Sequence, residues 1–210
     1  MAQPLNETSL LQAVRALGAR DPHLAGVVAR FGPPPLWARD PGFATLVHII
    51  LEQQVSLASA RSAFEKLVQA TGSLTPASLL ELSDAELKSV GFSRQKTAYA
   101  RDLAGALLDG RLDLSQLPDL DDHQARAQLM GIKGIGPWTA DIYLLMALGR
   151  PDIWPSGDLA LAAAVQRVQG LATRPSSAEL LEISFRWRPW RAVAARILWH
   201  FYLSVGLRAV

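Results

Sequence analysis

The stretch LMGIKGIGPWTAD, Leu129 to Asp141, places three glycines directly before a proline and a tryptophan. The glycines are Gly131, Gly134 and Gly136, and the residues on either side of the stretch have helical spacing. Glycine permits tight turns and positive φ, and proline is favoured at the first position of a helix. The stretch therefore predicts two helices joined by a tight turn, with the second helix beginning at Pro137.

This glycine pattern has four interpretations. A dinucleotide loop needs a preceding strand and a P-loop needs a Gly-Lys-Ser/Thr ending, and the sequence indicates neither. A plain turn between two helices explains the glycines through positive φ alone. In a helix–hairpin–helix, the glycines also let the backbone approach a phosphate, which the next helix attracts through its amides and dipole. Ile132 and Ile135 would then pack the hairpin on its helices, and DNA would be bound without recognition of bases.

The rest of the chain has helical spacing of apolar residues almost throughout. Helix starts are marked by Asp21 before a proline and by capping boxes that begin at Ser83 and Ser176. No segment alternates with the two-residue period of a strand. We therefore predict an all-α fold of around ten helices.

Composition narrows the function classes. Half of the 210 residues are hydrophobic, which permits a substantial core, and there is no cysteine. Disulfides, thiolate zinc sites and cysteine-bound iron–sulfur clusters are excluded.

We find neither a signal-peptide pattern nor an apolar run of about 20 residues, so we expect a cytoplasmic protein without a membrane partner. The net charge of +2 does not by itself indicate nucleic acid, although basic residues cluster in FSRQK and FRWRPWRAVAAR.

The hairpin stretch resembles that of the helix–hairpin–helix DNA glycosylase superfamily. Further stretches resemble one branch, the 3-methyladenine DNA glycosylase II family, and follow in the family's order: HIILEQQVSLASA, LKSVGFSRQKTAYARDLA, DIWPSGDLAL and FRWRPWRAVAARILWHF. The resemblance implies an all-α, two-lobed fold with a cleft between the lobes, in the compact form without an N-terminal β-rich lobe. It implies one lobe of residues 1–35 and 150–210, and a central lobe of residues 36–149 that carries the hairpin at 129–141.

The resemblance also implies a catalytic aspartate about 20 residues after the start of the helix that follows the hairpin. Asp158 lies 20 positions after Trp138. Without the resemblance, Asp158 is most simply a helix N-cap, and the two roles are compatible because a capped carboxylate is well oriented. An N3- or N7-alkylated purine is already cationic and leaves without protonation. One ionised carboxylate would then suffice to stabilise the oxocarbenium-like sugar and admit water.

A flipped base needs a pocket, and the family lines that pocket with tryptophan, whose ring face suits a cationic purine. Trp138 and Trp199 match those positions, with ordinary core packing as the alternative for each. Ile142 and Leu159, near Trp138 and Asp158, complete the predicted base pocket.

The family's wedge, which fills the space left by the flipped base, corresponds to the loop of Gln53 and Gln54. The best-known member has leucine at the position of Gln54, so an ordinary helix-end glutamine is the alternative. Further DNA contacts are predicted at the helix start that carries Arg94 and Lys96. The hairpin adds Gly131, Lys133, Gly134, Ile135 and Gly136 to the predicted DNA contacts.

Two features of the hairpin bear on chemistry. Bifunctional relatives have a Schiff-base lysine directly before the Thr-Ala of the helix start. That position is Trp138 here, and Lys133 comes too early, so we expect no β-lyase activity. Hairpins of related proteins often hold a monovalent cation through backbone carbonyls, which here would be those of Met130, Ile132 and Ile135. We expect no required cofactor and a structural Na⁺ or K⁺ at the hairpin.

The main prediction is a monofunctional glycosylase that excises 3-methyladenine, 7-methylguanine and similar alkylated purines from double-stranded DNA in base excision repair, acting as a monomer. The alternative is a non-catalytic helix–hairpin–helix DNA-binding protein, which would release no base. A third interpretation, a helical scaffold for protein partners, predicts indifference to DNA and to salt.

Overall fold

The computed structural model describes residues 3–206, and within them every regular element is helical, which confirms the all-α prediction. The helices of this range are α1 Glu7–Arg20, α2 Pro22–Phe31, α3 Phe43–Glu52, α4 Leu57–Thr71, α5 Pro76–Glu81, α6 Asp84–Ser89, α7 Arg94–Leu108, α8 Asp122–Met130, α9 Pro137–Met146, α10 Leu159–Gln169, α11 Ser177–Ser184 and α12 Arg191–Ser204. Short 3₁₀ turns lie at Leu117–Asp119 and Phe185–Trp187. None of the helices in residues 3–206 is both long and apolar enough to cross a bilayer.

The chain divides into two compact units. One unit takes both ends of the chain, up to Ala38 and from Gly149 onward, and the other spans Arg39–Leu148. The predicted lobes place these boundaries after residues 35 and 149, close to where the structure has them.

The unit of Arg39–Leu148 is organised around α3, which packs against α4, α7 and α9. Apolar residues occupy several faces of α3, and Leu46, Ile49 and Ile50 are all 0% exposed. A helix that is apolar on several faces must be covered on several sides. Its central position brings the C-terminal end of α3 close to the turn between α8 and α9.

The other unit is organised in the same way around α12, which packs against α1, α2 and α10. Ala194, Ile197 and Leu198 of α12 are buried. The guanidinium of Arg196 donates to the carbonyl of Leu36 at 2.8 Å, and burial lowers the pKa of Arg196 to about 10. This central position fixes the indole of Trp199 against the start of α10.

Candidate functional site

The predicted hairpin is present between α8 and α9, and α9 begins at Pro137. Its three glycines differ in backbone conformation. Gly134 has φ +88°, which favours glycine, whereas Gly131 has φ −66° and Gly136 has φ −87°. Positive φ therefore explains only one glycine of the three, and the other two need a different reason.

Gly134 and Gly136 also differ in the space that an added Cβ would find. A Cβ on Gly134 would overlap the ring of Tyr99, which belongs to α7 and lies directly on the turn. A Cβ on Gly136 would meet no atom within 4 Å, and no side chain caps the start of α9 at this residue. The space beside the Cα of Gly136, at the start of α9, is therefore open. An open helix N-terminus suits an anion such as a DNA phosphate.

The apolar residues of the hairpin are buried as predicted, with Ile132 4% and Ile135 3% exposed. Burial limits the predicted DNA contact of Ile135 to its backbone. Lys133 is exposed, and its amide donates to the carboxylate of Asp102 on α7 at 3.0 Å. Met130 is 41% exposed beside the turn.

The turn between α3 and α4 places the two predicted wedge residues in different environments. Gln53 is part-buried, and its Nε2 donates to the carbonyl of Gly134 and to Oγ1 of Thr139, both at 2.9 Å. Gln54 is exposed and has φ +57°, a conformation that costs a non-glycine residue about 1–2 kcal/mol. The structure therefore gives Gln53 a role inside the protein and leaves Gln54 as the exposed residue of the pair.

The two basic residues at the start of α7 also differ. Arg94 is the first residue of α7 and is exposed. Lys96 donates from Nζ to the carbonyl of Leu51 at 2.7 Å, and burial lowers the pKa of Lys96. The ammonium group of Lys96 thus binds a carbonyl at the C-terminal end of α3, where the helix dipole favours a positive charge. Because Lys96 is only part-buried and an ammonium group has three donors, its predicted phosphate contact stays a prediction beside this structural contact.

Asp158 is the N-cap of α10, and its side chain is directed into the protein. The residue is 8% exposed, and Oδ1 accepts from the amide of Leu161 at 2.8 Å. The same oxygen accepts from the indole Nε1 of Trp199 at 3.3 Å. The structure thus brings together the predicted catalytic residue and one predicted pocket residue, and fixes the carboxylate through two donors.

The other predicted pocket residues differ in exposure. Trp138 is half-buried in the first turn of α9, and Ile142 lies one turn later with 3% of its surface exposed. Ile142 therefore offers little surface to a ligand. Leu159 is 58% exposed directly beside Asp158. A single exposed leucine is common at protein surfaces, so the base-pocket role of Leu159 stays a prediction.

Sequence reasoning did not find three residues that hold the hairpin, namely Tyr99, Asp102 and Thr139. Tyr99 and Asp102 lie three residues apart and therefore on one face of α7, which is the signal that was available. The basic stretch near the end of the chain has a structural explanation, because Arg191 forms a two-point ion pair with Asp152 at 2.9 and 3.0 Å.

The sequence of this chain is similar to those of several DNA glycosylases. The YfjP protein of Bacillus subtilis, by name a DNA-3-methyladenine glycosylase candidate, is 32% identical over 162 residues, which are 73% of this chain and 56% of the relative. The DNA-3-methyladenine glycosylase 1 of Schizosaccharomyces pombe is 26% identical over 199 residues, 91% of this chain and 87% of the relative. The chain covers 56% of the length of YfjP and of a second DNA-3-methyladenine glycosylase of B. subtilis, and 38% of the length of AlkA of Mycobacterium tuberculosis.

Solved structures have the same fold. The S. pombe 3-methyladenine DNA glycosylase Mag1, in complex with abasic DNA, superposes with a TM-score of 0.82 at 22% identity, covering 95% of this chain and 98% of that one. A DNA-3-methyladenine glycosidase from Bacillus halodurans has a TM-score of 0.75 at 28% identity, covering 92% of this chain and 90% of that one. The model of the HhH-GPD superfamily of base excision DNA repair proteins matches residues 47–189, more than half of the chain, and this protein therefore belongs to that superfamily.

Proposed function

We propose that this chain is a DNA glycosylase that hydrolyses the bond between the sugar and an alkylated purine, such as 3-methyladenine or 7-methylguanine, in double-stranded DNA during base excision repair. The observation that carries the proposal is Asp158, a nearly buried carboxylate that accepts from Leu161 and Trp199. The names of the relatives indicate the same substrate class.

The proposed chemistry needs one carboxylate. An alkylated purine is a cation, so the bond from C1′ to nitrogen breaks with its electron pair and the base leaves neutral without a general acid. The negative charge of Asp158 stabilises the developing oxocarbenium, and donors already in place require no reorganisation at that moment. Water then adds to C1′ and passes its proton to Asp158, which serves as the general base.

The hairpin supplies the proposed phosphate contact. The amides at the start of α9 and the positive end of its dipole would face the phosphate across the open space at Gly136. Lys133 and Arg94, both exposed, would add charge along the backbone of the same duplex. Gln54, exposed on its turn, would fill the space left by the flipped base.

We further propose that the enzyme has no lyase activity. Trp138 stands where a Schiff-base lysine would be needed, and an indole cannot form an imine. Incubation with a duplex that carries an abasic site should leave the strand intact, and borohydride should trap no covalent complex. Strand cleavage that a Lys133→Gln variant abolishes would instead identify Lys133 as an imine-forming residue.

A structural Na⁺ or K⁺ at the hairpin remains part of the proposal. Its ligands would be the carbonyls of Met130, Ile132 and Ile135. The carbonyl of Ile132 already accepts from the amide of Ile135 at 3.1 Å, and a carbonyl oxygen has a second lone pair for a cation. The melting temperature in KCl or NaCl should exceed that in choline chloride at equal ionic strength, and equal values would remove the cation from the account.

Chromatography of the bases released from methylated duplex DNA tests the function. We expect free 3-methyladenine and 7-methylguanine, together with DNA affinity that falls as salt rises because phosphates are bound. The alternative, a non-catalytic DNA-binding protein, predicts the same salt dependence with no released base. A helical scaffold predicts neither binding nor release.

A further inference from the structure

The turn between α3 and α4 contains a strained residue that needs an explanation. Gln54 has φ +57° in a turn where no glycine relieves the strain. Strained residues persist only when their surroundings hold them, and they concentrate where a side chain must be presented in a defined direction. The residue before it, Gln53, is the C-cap of α3 and has ordinary extended dihedrals. The contacts of Gln53 therefore decide how the turn is held.

The amide of Gln53 binds two parts of the hairpin at once. One NH₂ group donates to the carbonyl of Gly134 in the turn and to Oγ1 of Thr139 in the first turn of α9, each at 2.9 Å. Because an amide NH₂ has two donors in a fixed plane, these bonds fix the turn and the helix start relative to each other and to Gln53. The bonds span 81 and 86 residues of sequence.

A second set of contacts to the hairpin comes from α7. The ring of Tyr99 lies against Gly134, and the carboxylate of Asp102 accepts from the amide of Lys133 at 3.0 Å. The start of α7 also reaches α3, because Lys96 donates to the carbonyl of Leu51. The hairpin is thus contacted both by α7 and by Gln53, all within the unit of Arg39–Leu148.

We propose that Gln53 is a positioning residue that couples the hairpin to the turn carrying Gln54, so that a phosphate bound at the hairpin sets where Gln54 enters the duplex. The inference rests on the proposed function and replaces the direct DNA contact that the sequence predicts for Gln53. It assigns DNA binding to the hairpin and recognition of the opened site to the turn, with one side chain joining them.

The test compares affinity for a duplex that contains a tetrahydrofuran abasic analogue with affinity for the intact duplex. Gln53→Met keeps the length of the side chain and removes both donors. We expect the preference for the abasic duplex to fall about tenfold, which is what losing the net contribution of two such hydrogen bonds would give, while affinity for the intact duplex changes less than threefold. Gln53→Glu should lose more than Gln53→Met, because its carboxylate would face the carbonyl of Gly134.

Two further variants make the result specific. Thr139→Val keeps the shape of the side chain and removes one acceptor of the Gln53 amide. In a double-mutant cycle, its effect on the preference for the abasic duplex should not add to that of Gln53→Met. Gln69→Met makes the same chemical change at an exposed position of α4 and should leave the preference for the abasic duplex unchanged. If Gln53→Met no longer unfolds cooperatively on heating, Thr139→Val tests the same contact with a smaller change.

The outcomes separate the two proposals. A wild-type chain that does not prefer the abasic duplex contradicts the proposed function and the coupling together. A wild-type preference that Gln53→Met retains in full, or effects of Gln53→Met and Thr139→Val that simply add, contradicts the coupling alone.

Discussion

Asp158 and Trp199 meet at a single contact, to which the proposed function gives a second role. Asp158 caps α10 through the amide of Leu161, so the helix that follows orients the carboxylate. Trp199 was predicted as a wall of the base pocket, but its indole also donates to the same carboxylate oxygen. In the proposed function, the ring that lines the base pocket would thus also hold the reacting carboxylate, because its ring face and its N–H point in different directions.

Trp199→Phe separates these two roles, because phenylalanine keeps an aromatic ring and lacks the donor. We expect the single-turnover rate of 3-methyladenine release to fall about tenfold, the usual worth of one hydrogen bond to a charged group, while DNA affinity stays within twofold. Trp199→Leu, which removes both ring and donor, should lose more. A Trp199→Phe rate equal to that of the wild type would show that the indole N–H is not needed.

The hairpin between α8 and α9 is the element at which we expect stability and DNA binding to oppose each other. Gly136 is an N-cap in an extended conformation with open space beside it, where serine would ordinarily be preferred. Gly136→Ser should therefore raise the free energy of unfolding by roughly a few tenths of a kcal/mol, because its hydroxyl would accept from the amides of α9. The same hydroxyl would occupy the position of the proposed phosphate, so DNA affinity should fall.

Gly134→Ala is the matched comparison at the same element. Here φ is +88° and the added Cβ would overlap Tyr99, so we expect unfolding at a lower temperature. Thermal melts and salt titrations of DNA binding on both variants check the pair. A Gly136→Ser protein that is more stable and binds DNA as the wild type does would remove Gly136 from the phosphate site.

The fold and the site differ in how far they could be predicted. The helices, the hairpin and the buried isoleucines follow from local apolar spacing and caps, which the sequence displays directly. The roles of Gln53 and Lys96 depend on partners 81 and 45 residues away, and no local pattern shows such a partner. The sequence places both residues near the site, but only packing shows that they donate inward.

At the scale of the whole molecule, one unit is assembled from the two ends of the chain and depends on contacts between them. Asp21, which is 4% exposed, caps α2 through the amides of His23 and Leu24. Its second oxygen accepts from the indole of Trp187 at 2.7 Å, across 166 residues. A single carboxylate thus joins the beginning of the chain to its end.

Asp21→Ala should lower the free energy of unfolding by about 3 kcal/mol, because it removes a helix cap and leaves a buried indole N–H without its acceptor. Asp21→Ser retains a cap and should recover part of the loss. Chemical denaturation of both variants measures the difference, with Asp40→Ala as an exposed control. A loss no greater than that of Asp40→Ala would show that Asp21 does not stabilise the unit.

Asp158→Asn tests the central claim most directly. Asparagine can still cap α10 and accept from Trp199 through its carbonyl oxygen, but it carries no charge to stabilise an oxocarbenium. The measurement is the single-turnover rate of 3-methyladenine release from methylated duplex DNA at saturating protein, with DNA affinity measured in parallel. We predict a fall in rate of at least about a hundredfold, the usual minimum for a catalytic acid–base group, with affinity within a few-fold of the wild type. Release by Asp158→Asn near the wild-type rate would contradict the account.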